Sequence, residues 1–300
     1  MTAHALVFVS NPDDKPAYRE ALLMLGRVAL SRKLPPPEVL SGWESAQWTY
    51  DSVDGELRQE AAAAVAELPV DWALVPIEGR RKKLLVADMD STIINVECLD
   101  ELADFAGIKA EIAAITERAM RGELEFEPAL RERVSKLKGL ALDALQKTYD
   151  ERVRLNPGAE TLVRTMAKHD ARCVLVSGGF AFFTARVAEA AGFHANRANV
   201  LLDDGAALTG LVQEPILGRA AKLEALQSEA KALGVAESEA LAIGDGANDL
   251  DMIKASGLGV AYRAKPVVAA EAHARIDHTP LTTALFFQGY RRADFHSPTA

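Results

Sequence analysis

Short apolar runs alternate with segments of helical periodicity over most of the chain. Three of these runs have strand length and end abruptly at polar or glycine residues; they span residues 84–87, 172–176 and 240–243. From residue 159 onward, strand and helix patterns alternate regularly. Alternation of this kind is typical of α/β folds, so we predict a doubly wound, mostly parallel sheet.

The first eighty residues follow a different pattern. Strands are predicted at residues 5–9 and 72–76, two more within 38–52, and helices at 18–30 and 55–68. This order, βαββαβ, predicts a small ferredoxin-like α+β domain with two helices on one face of its sheet.

A third pattern covers residues 96–156, where no strand signal occurs and apolar residues recur at helical spacing. Asn156-Pro157-Gly158 breaks this pattern. The predicted organisation is an N-terminal domain at 1–80 and a second domain at 81–300, with a core at 81–95 and 157–300 and a helical insertion at about 96–156. Residues 280–290 predict a terminal helix that Thr279 caps.

Composition narrows the function classes. The chain is 49% hydrophobic and 26% charged, as in soluble globular proteins, and its net charge of −9 argues against a nucleic-acid partner. The basic run Arg80-Arg81-Lys82-Lys83 is interpreted as a solvated linker, with a polyanion patch as the alternative. Cys98 and Cys173 are too few for a disulfide framework or a zinc site. No signal peptide or membrane span is evident, so we expect a cytoplasmic protein.

Candidate chemistry lies where the three apolar runs end. Asp88 and Asp90 follow the first run, one residue apart, and buried carboxylates are costly unless they do chemistry or bind a metal. Ligands of parallel α/β sheets bind at the carboxyl ends of the strands. The other runs end at Ser177-Gly178-Gly179 and at a glycine-flanked carboxylate cluster, and Lys222 begins a helical pattern between them. Together these segments offer a nucleophile, an anion hole, a cation and a metal cage.

These segments, in this order, resemble the four motifs of the haloacid dehalogenase-type phosphohydrolases. Within that superfamily, the chain is similar to the phosphoserine phosphatase family from about residue 83 to 290. The matching segments are residues 88–97, 126–133, 176–180 and 244–249. The resemblance implies a Rossmannoid core with an inserted helical cap, and the first eighty residues look like the ACT-type modules that precede many such enzymes.

The resemblance also implies catalytic roles. Asp88 would attack phosphorus and form an aspartyl-phosphate, and Asp90 would act as general acid and then as general base. Lys222 would neutralise the transferring phosphoryl group. Mg²⁺ would be held by the side chains of Asp88 and Asp245 and by the main-chain carbonyl of Asp90, with Asp249 nearby.

Substrate contacts are expected from the anion hole and the cap. The Ser177 hydroxyl and the Gly178 amide would donate to phosphoryl oxygens, and Asn248 would add a polar contact. In the cap, Glu97 would pair with an α-ammonium group. Two further cap contacts are expected. Arg133, in preference to Arg131, would clamp an α-carboxylate, and Phe126 and Met120 would supply an apolar cover.

The leading prediction is therefore hydrolysis of O-phosphoserine to serine and phosphate, the final step of serine biosynthesis. Two alternatives stay open. One keeps the scaffold but uses another small phosphate ester, or transfers the phosphoryl group to an alcohol such as homoserine. The other is a non-enzymatic amino-acid sensor, which the intact motifs disfavour. For residues 1–80, binding of serine as an effector and a structural or homodimerising role both stay open.

Overall fold

The computed structural model describes residues 2–120 and 123–297, without the side chains of residues 117, 119 and 120. This part of the chain forms an antiparallel sheet with two helices, followed by a parallel sheet with helices on both faces. A group of helices is inserted after the first strand of the parallel sheet. The predicted fold class is thereby confirmed.

The N-terminal unit has four strands and two helices. They are β1 (His4–Ser10), α1 (Lys15–Ser31), β2 (Glu38–Ser41), β3 (Ser45–Tyr50), α2 (Gly55–Val65) and β4 (Val70–Pro76). The strands are antiparallel in the order β2-β3-β1-β4, which is the ferredoxin-like order. One sheet face is covered by the two helices, where Leu6, Phe8 and Trp48 pack among Leu25 and Leu57.

The opposite face of this sheet packs on the rest of the protein. Ala5, Val7 and Val9 alternate with the helix-facing residues of β1, and they belong to the same apolar cluster as Leu285 and Phe286 of the core. Because strand side chains alternate between faces, β1 is buried on both sides. The N-terminal unit is therefore docked on the core through an apolar sheet face.

Two buried charged residues complete this contact, which we call the joint. Asp71 on β4 accepts hydrogen bonds from the backbone N–H groups of residues 277–279 and from the Thr279 hydroxyl. Arg80 donates to the carbonyls of Phe286 and Phe287, at 3.0 and 2.6 Å, and to the Gln47 side chain at 2.7 Å. Each charge is thus met by neutral polar groups, which belong to the core except for the Gln47 side chain of the N-terminal unit.

The core sheet has six parallel strands in the order β12-β11-β10-β5-β6-β7. These are β5 (Leu84–Ala87), β6 (Arg172–Phe180), β7 (Ala195–Asn199), β10 (Ala240–Gly244), β11 (Leu258–Tyr262) and β12 (Ala274–Ile276), with β8 (Leu201–Asp203) and β9 (Leu208–Val212) forming a separate hairpin. The flanking helices are α7 (Ala159–Lys168), α8 (Ala181–Ala191), α9 (Ala220–Leu233), α10 (Leu250–Ala255), α11 (Pro266–Ala269) and α12 (Thr283–Phe287). Leu84 and Val86 face one apolar cluster, and Leu85 and Ala87 face the other.

The inserted helices, which we call the cap, are α3 (Cys98–Phe105), α4 (Lys109–Met120), α5 (Phe126–Ser135) and α6 (Asp143–Arg152). The two chain crossings between cap and core are tied together by Asn156, whose side-chain amide donates to the carbonyls of Thr92 and Ile94 at 2.8 and 2.9 Å. The β8–β9 hairpin is attached to the cap, since the Gly139 N–H donates to the Leu208 carbonyl and the Leu208 N–H donates to the Leu140 carbonyl. The predicted domain boundaries themselves stay a prediction.

Two sequence-based expectations are wrong. The terminal helix is shorter than residues 280–290, because Thr279 hydrogen bonds to Asp71 instead of capping a helix and α12 begins at Thr283. The basic run is not a solvated linker throughout, since Arg80 and Lys82 are buried. Within the described part of the chain, no helix has both the length and the apolar character needed to cross a membrane.

Candidate active site

The candidate site lies at the carboxyl ends of three adjacent strands. Ala87 at the end of β5 is paired with Leu175 on β6 and with Ile243 on β10. This register brings the ends of the three predicted motif strands to one level of the sheet. The side chains that follow them, Asp88, Ser177 and Asp245, therefore meet at the edge where ligands of parallel sheets bind.

A buried ion cluster forms the centre of the site. Lys222 Nζ lies 2.7 Å from Asp88 Oδ1 and 2.6 Å from Asp249 Oδ1, and all three side chains are nearly excluded from solvent. Backbone N–H groups assist, because Asp88 Oδ1 accepts from Met89 and Asp249 Oδ2 accepts from Gly246. The contacts of Asp88 in the described structure use Oδ1, which leaves its Oδ2 available.

The acidic cluster of Asp88, Asp245 and Asp249 places one oxygen of each carboxylate within 4.8 Å of the others. Three carboxylates beside one ammonium leave two negative charges in excess, which is what a divalent cation would neutralise. Burial first, and then the charge of Asp249, raises the pKa of Asp88 well above its ordinary value. Burial lowers the pKa of Lys222, but Asp249 and Asp88 outweigh it and the net direction is upward. The donor set fits a hard metal ion.

Asp90 occupies a distinct environment. Its Oδ1 accepts from the Cys98 backbone N–H at 2.9 Å, and its Oδ2 accepts from the Ser177 hydroxyl at 3.0 Å. Ser177 in turn accepts from the Gly179 N–H at 2.8 Å. Burial raises the pKa of Asp90, although the hydrogen bonds from Cys98 and Ser177 oppose this effect. A carboxyl group with a raised pKa is suited to proton transfer.

The glycines of the motifs are required by close approach. A Cβ on Gly244 would lie 2.3 Å from Cγ of Asp249, and one on Gly179 would lie 3.0 Å from Asp90 Oδ2. A larger residue at Gly244 would displace the Asp249 carboxylate from Lys222. Glycine at these strand ends therefore lets the carboxylates pack against backbone.

The cap contributes a second charged group above the acidic cluster. Glu97 accepts a hydrogen bond from Ser91 at 2.7 Å, and Ser91 has a left-handed backbone with φ of +56°. The Arg133 guanidinium lies on α5 and is partly buried, with Asp100 and Glu97 as the nearby charges that act on it. Desolvation first, and then the charge of Asp90, raises the pKa of Glu97 to about 7. Glu97 is thus one of two carboxylates whose charges act on Arg133, and the substrate contacts of both residues stay a prediction.

Four predicted residues remain, and their environments differ. Arg131 is exposed and forms ion pairs with Glu214 and Glu127, so it is engaged away from the site. Phe126 covers the anion hole, since a Cβ on Gly178 would lie 3.2 Å from its ring. The half-buried Asn248 folds its side chain over the Gly246 backbone. The side chain of Met120 lies outside the described residues.

One supporting residue was missed by the sequence reasoning. Asn199, at the end of β7, is buried and donates to the Gly178 carbonyl at 2.9 Å while it accepts from the Leu217 N–H at 2.7 Å. It ties the anion-hole loop to the segment that leads to Lys222. A polar residue at the end of a short strand is a weak signal, and the partners lie 18 and 21 residues away.

Comparison with known proteins defines the class. The family described as haloacid dehalogenase-like hydrolase matches residues 85–254. The chain therefore belongs to the haloacid dehalogenase-like hydrolase family. Within it, the phosphoserine phosphatase of Polaromonas sp. is 46% identical over 208 residues, covering 68% of this chain and 88% of that protein. The phosphoserine phosphatase of Streptomyces coelicolor is 43% identical over 253 residues, covering 83% of this chain and 62% of that protein.

Solved structures extend the likeness to the N-terminal unit. A HAD family hydrolase from Salmonella enterica subsp. enterica serovar Typhi has a TM-score of 0.83 at 26% identity, covering 96% of this chain and 98% of its own. A probable phosphoserine phosphatase from Vibrio cholerae has a TM-score of 0.76 at 31% identity, covering 95% and 86%. Because these matches span nearly the whole chain, they include both sheets.

Proposed function

We propose that this protein hydrolyses O-phosphoserine to serine and phosphate and thereby catalyses the last step of serine biosynthesis. The observation that carries the proposal is the contact of Asp88 with Lys222 at the end of β5, beside Asp90 in a separate hydrogen-bonded environment. The names of the relatives at 43–46% identity support the same substrate.

The first chemical step uses Asp88 as the nucleophile. Its Oδ1 is held by Lys222 and by the Met89 N–H, so its Oδ2 is the oxygen that attacks phosphorus. The bond from phosphorus to the serine oxygen breaks as the bond to Oδ2 forms. Lys222 neutralises charge on the phosphoryl group, and the Ser177 hydroxyl and Gly178 amide can donate to its oxygens.

Asp90 moves the protons. In the first step it gives a proton to the leaving serine oxygen, and its raised pKa favours the protonated form that this requires. In the second step it takes a proton from the water that attacks the aspartyl-phosphate, which releases phosphate and restores Asp88. The Ser177 hydroxyl donates to Asp90 Oδ2 at 3.0 Å in the structure, so this single O–H group has to turn from Asp90 to the phosphoryl oxygen when the substrate binds.

Mg²⁺ is the metal that the donor set favours, because the available ligands are carboxylate and carbonyl oxygens. Asp88, Asp245 and the main-chain carbonyl of Asp90 would hold it, with Asp249 nearby. The ion would supply charge neutralisation for the phosphoryl group. It would also keep Asp88 ionised against the raised pKa that burial imposes.

Recognition of serine is assigned to the cap. Arg133 offers a planar pair of donors for the α-carboxylate, and Glu97 offers an acceptor for the α-ammonium group. Phe126 closes over the phosphoryl position from α5. Asn248 adds a polar group on the core side.

Phosphate release from a panel of esters tests the proposal. We expect O-phosphoserine to exceed O-phosphothreonine, phosphoglycolate and glycerol phosphate in kcat/KM, with activity dependent on added Mg²⁺ and lost on chelation. An alcohol such as homoserine should not capture the phosphoryl group. Preference for an ester without an amino-acid headgroup would refute the substrate assignment but not the phosphatase chemistry.

The finer predictions for the rest of the molecule remain proposals. The joint at Asp71 and Arg80 supports a structural role for residues 1–80, whereas serine binding there and a homodimer are to be tested separately. Serine titration of the tryptophan emission in the Asp88→Asn variant tests the first, and sedimentation velocity tests the second. The cytoplasmic location likewise stays a prediction.

A further inference from the structure

A cleft lies between the N-terminal unit and the core, away from the candidate active site. It has a volume of about 430 Å³, within the size range of small-molecule sites. One wall is formed by α2 and the start of β4, and the other by the end of α11 and β12. The cleft therefore opens along the joint between the two units.

The cleft is lined by small apolar side chains and by aromatic and charged ones. Small apolar side chains line much of it, namely Ala62, Val65, Ala66, Ala270 and Ala272. Arg58, Trp72, His273, Arg275 and His278 also line it. Two carboxylates, Asp71 and Asp277, line the cleft beside the two arginines, so the charge it offers to a ligand depends on how these groups are paired.

Arg58 is the basic residue with donors to spare. Its guanidinium lies 5.9 Å from the ring centroid of Trp72 and donates one hydrogen bond to the Leu74 carbonyl at 3.3 Å. No carboxylate forms an ion pair with it among the residues that the structure describes. Arg275, by contrast, is paired with Asp277 at 2.6 Å.

His273 adds a neutral donor. Its Nδ1 accepts from the Gly259 backbone N–H at 2.8 Å, so the ring proton lies on Nε2. Burial, and then the positive charges of Lys82 and Arg58, lower the pKa of His273, which keeps the ring neutral near pH 7. The ring thus offers an N–H group for an anionic or carbonyl oxygen.

The acidic residues of the cleft are already engaged. Asp71 accepts from three backbone N–H groups and from Thr279, and Asp277 is the partner of Arg275. An ammonium group in the cleft would therefore compete with Arg275 and with N–H donors for these carboxylates, whereas a carboxylate would find Arg58 and His273. We propose that this interdomain cleft binds a small aliphatic carboxylate without an α-amino group, such as a 2-hydroxy acid, with Arg58 as its ion-pair partner.

Isothermal titration calorimetry with three matched compounds tests the proposal on the full-length protein. The probes are 2-hydroxybutyrate, 2-aminobutyrate and 2-hydroxybutyramide, which share a short apolar chain and differ in one polar group each. We expect saturable binding of 2-hydroxybutyrate and about tenfold weaker binding of the other two. Equal affinity for 2-aminobutyrate would overturn the assigned ligand class.

Variants locate the site. Arg58→Gln should weaken 2-hydroxybutyrate binding about tenfold or more, and Arg58→Lys should recover part of the loss. Arg19→Gln is the matched control, because Arg19 is also exposed and lies 5.0 Å from a tryptophan ring, that of Trp43, outside the cleft. Arg133→Gln alters the candidate active site but not the cleft. The affinity for 2-hydroxybutyrate should therefore be the same in this variant as in the unmodified protein. Absence of saturable binding, or an Arg58→Gln affinity equal to that of the unmodified protein, would overturn the proposal.

Discussion

The candidate active site and the joint both bury acidic and basic side chains, but they satisfy these charges in different ways. At the joint, Asp71 accepts from three backbone N–H groups and a hydroxyl, and Arg80 donates to two carbonyls and an amide. Neutral dipoles therefore compensate each charge separately. At the site, Asp88 and Asp249 share Lys222, and Asp245 adds a third carboxylate to the same cluster.

The causes of the pKa shifts express the same contrast. Burial raises the pKa of Asp71, and hydrogen bonds from Thr279 and the backbone oppose it. Burial also raises the pKa of Asp88, but there the next cause is the like charge of Asp249, which adds to the rise. We interpret the compensated charges of the joint as a structural contact, and the uncompensated charges of the candidate active site as ones that a ligand or a reaction neutralises. Substitutions at the two places should accordingly differ in whether activity or stability responds.

The largest effect is expected at the nucleophile. Asp88→Asn should reduce turnover of O-phosphoserine by about 10⁴-fold or more, because the amide cannot form the covalent intermediate. Its thermal midpoint should not fall. Because the folded pKa of Asp88 lies above the ordinary value, the ionised form destabilises the fold at neutral pH, and the substitution removes that charge. Substantial activity in freshly purified protein, with deamidation excluded by mass spectrometry, would refute the covalent mechanism.

A substitution of Arg133 tests whether the cap takes part in the reaction, as the acidic cluster of the site is proposed to do. Arg133→Ala should cost about 2–5 kcal/mol in kcat/KM for O-phosphoserine, because it removes the partner of a desolvated carboxylate. Acetyl phosphate, which lacks that carboxylate, should be affected little. Arg131→Ala is the matched control on the same helix, since Arg131 is exposed and pairs with Glu214. Equal losses on both substrates would assign Arg133 to the phosphoryl group or to folding.

Asp71 should give the opposite pattern. Asp71→Ala removes the acceptor for several buried donors, so the free energy of unfolding should fall by about 2–4 kcal/mol while kcat changes little. Asp71→Asn keeps one carbonyl oxygen and should lose less. Urea denaturation and steady-state kinetics on the same preparations measure both quantities. A large loss of kcat in folded Asp71→Ala would mean that the joint acts on the site and is more than a structural contact.

The candidate active site could be predicted from the sequence to a larger extent than the joint could. The strands β5, β6 and β10 and the polar residues after them followed from apolar runs that end abruptly, because burial of a whole strand leaves a local pattern. The ferredoxin-like unit followed from its element order. For Glu97 and Arg133, local pattern gave only charges on helices, and the resemblance to a family was needed to select them.

The joint could not be predicted in this way. Arg80 and Lys82 form part of a basic run that is typical of solvated linkers. The Arg80 guanidinium bonds to carbonyls 206 and 207 residues away, and the Lys82 ammonium donates to the carbonyls of Gly79 and of Ser238, which is 156 residues away. The local sequence predicts that Thr279 caps a helix. Its partner in the structure is Asp71, which lies 208 residues earlier and cannot be recognised from the local sequence. Docking of the two units decides these contacts, and docking leaves no periodic signal in either segment.

The smallest expected effect concerns the ionisation of Glu97, which reports the excess charge of the site directly. Its folded pKa of about 7 lies above the ordinary glutamate value, so the folded protein binds this proton more tightly than the unfolded chain does. The free energy of unfolding should therefore fall slightly as the pH rises from the ordinary pKa of glutamate through about 7. We expect carboxyl carbon NMR of metal-free protein to show one resonance titrating near pH 7 that is absent in Glu97→Gln. Addition of Mg²⁺ should lower that pKa, because a cation near Asp245 would cancel part of the charge that raises it. A titration at the ordinary value in metal-free protein, or one unchanged by Mg²⁺, would contradict the view that uncompensated negative charge distinguishes this site from the joint.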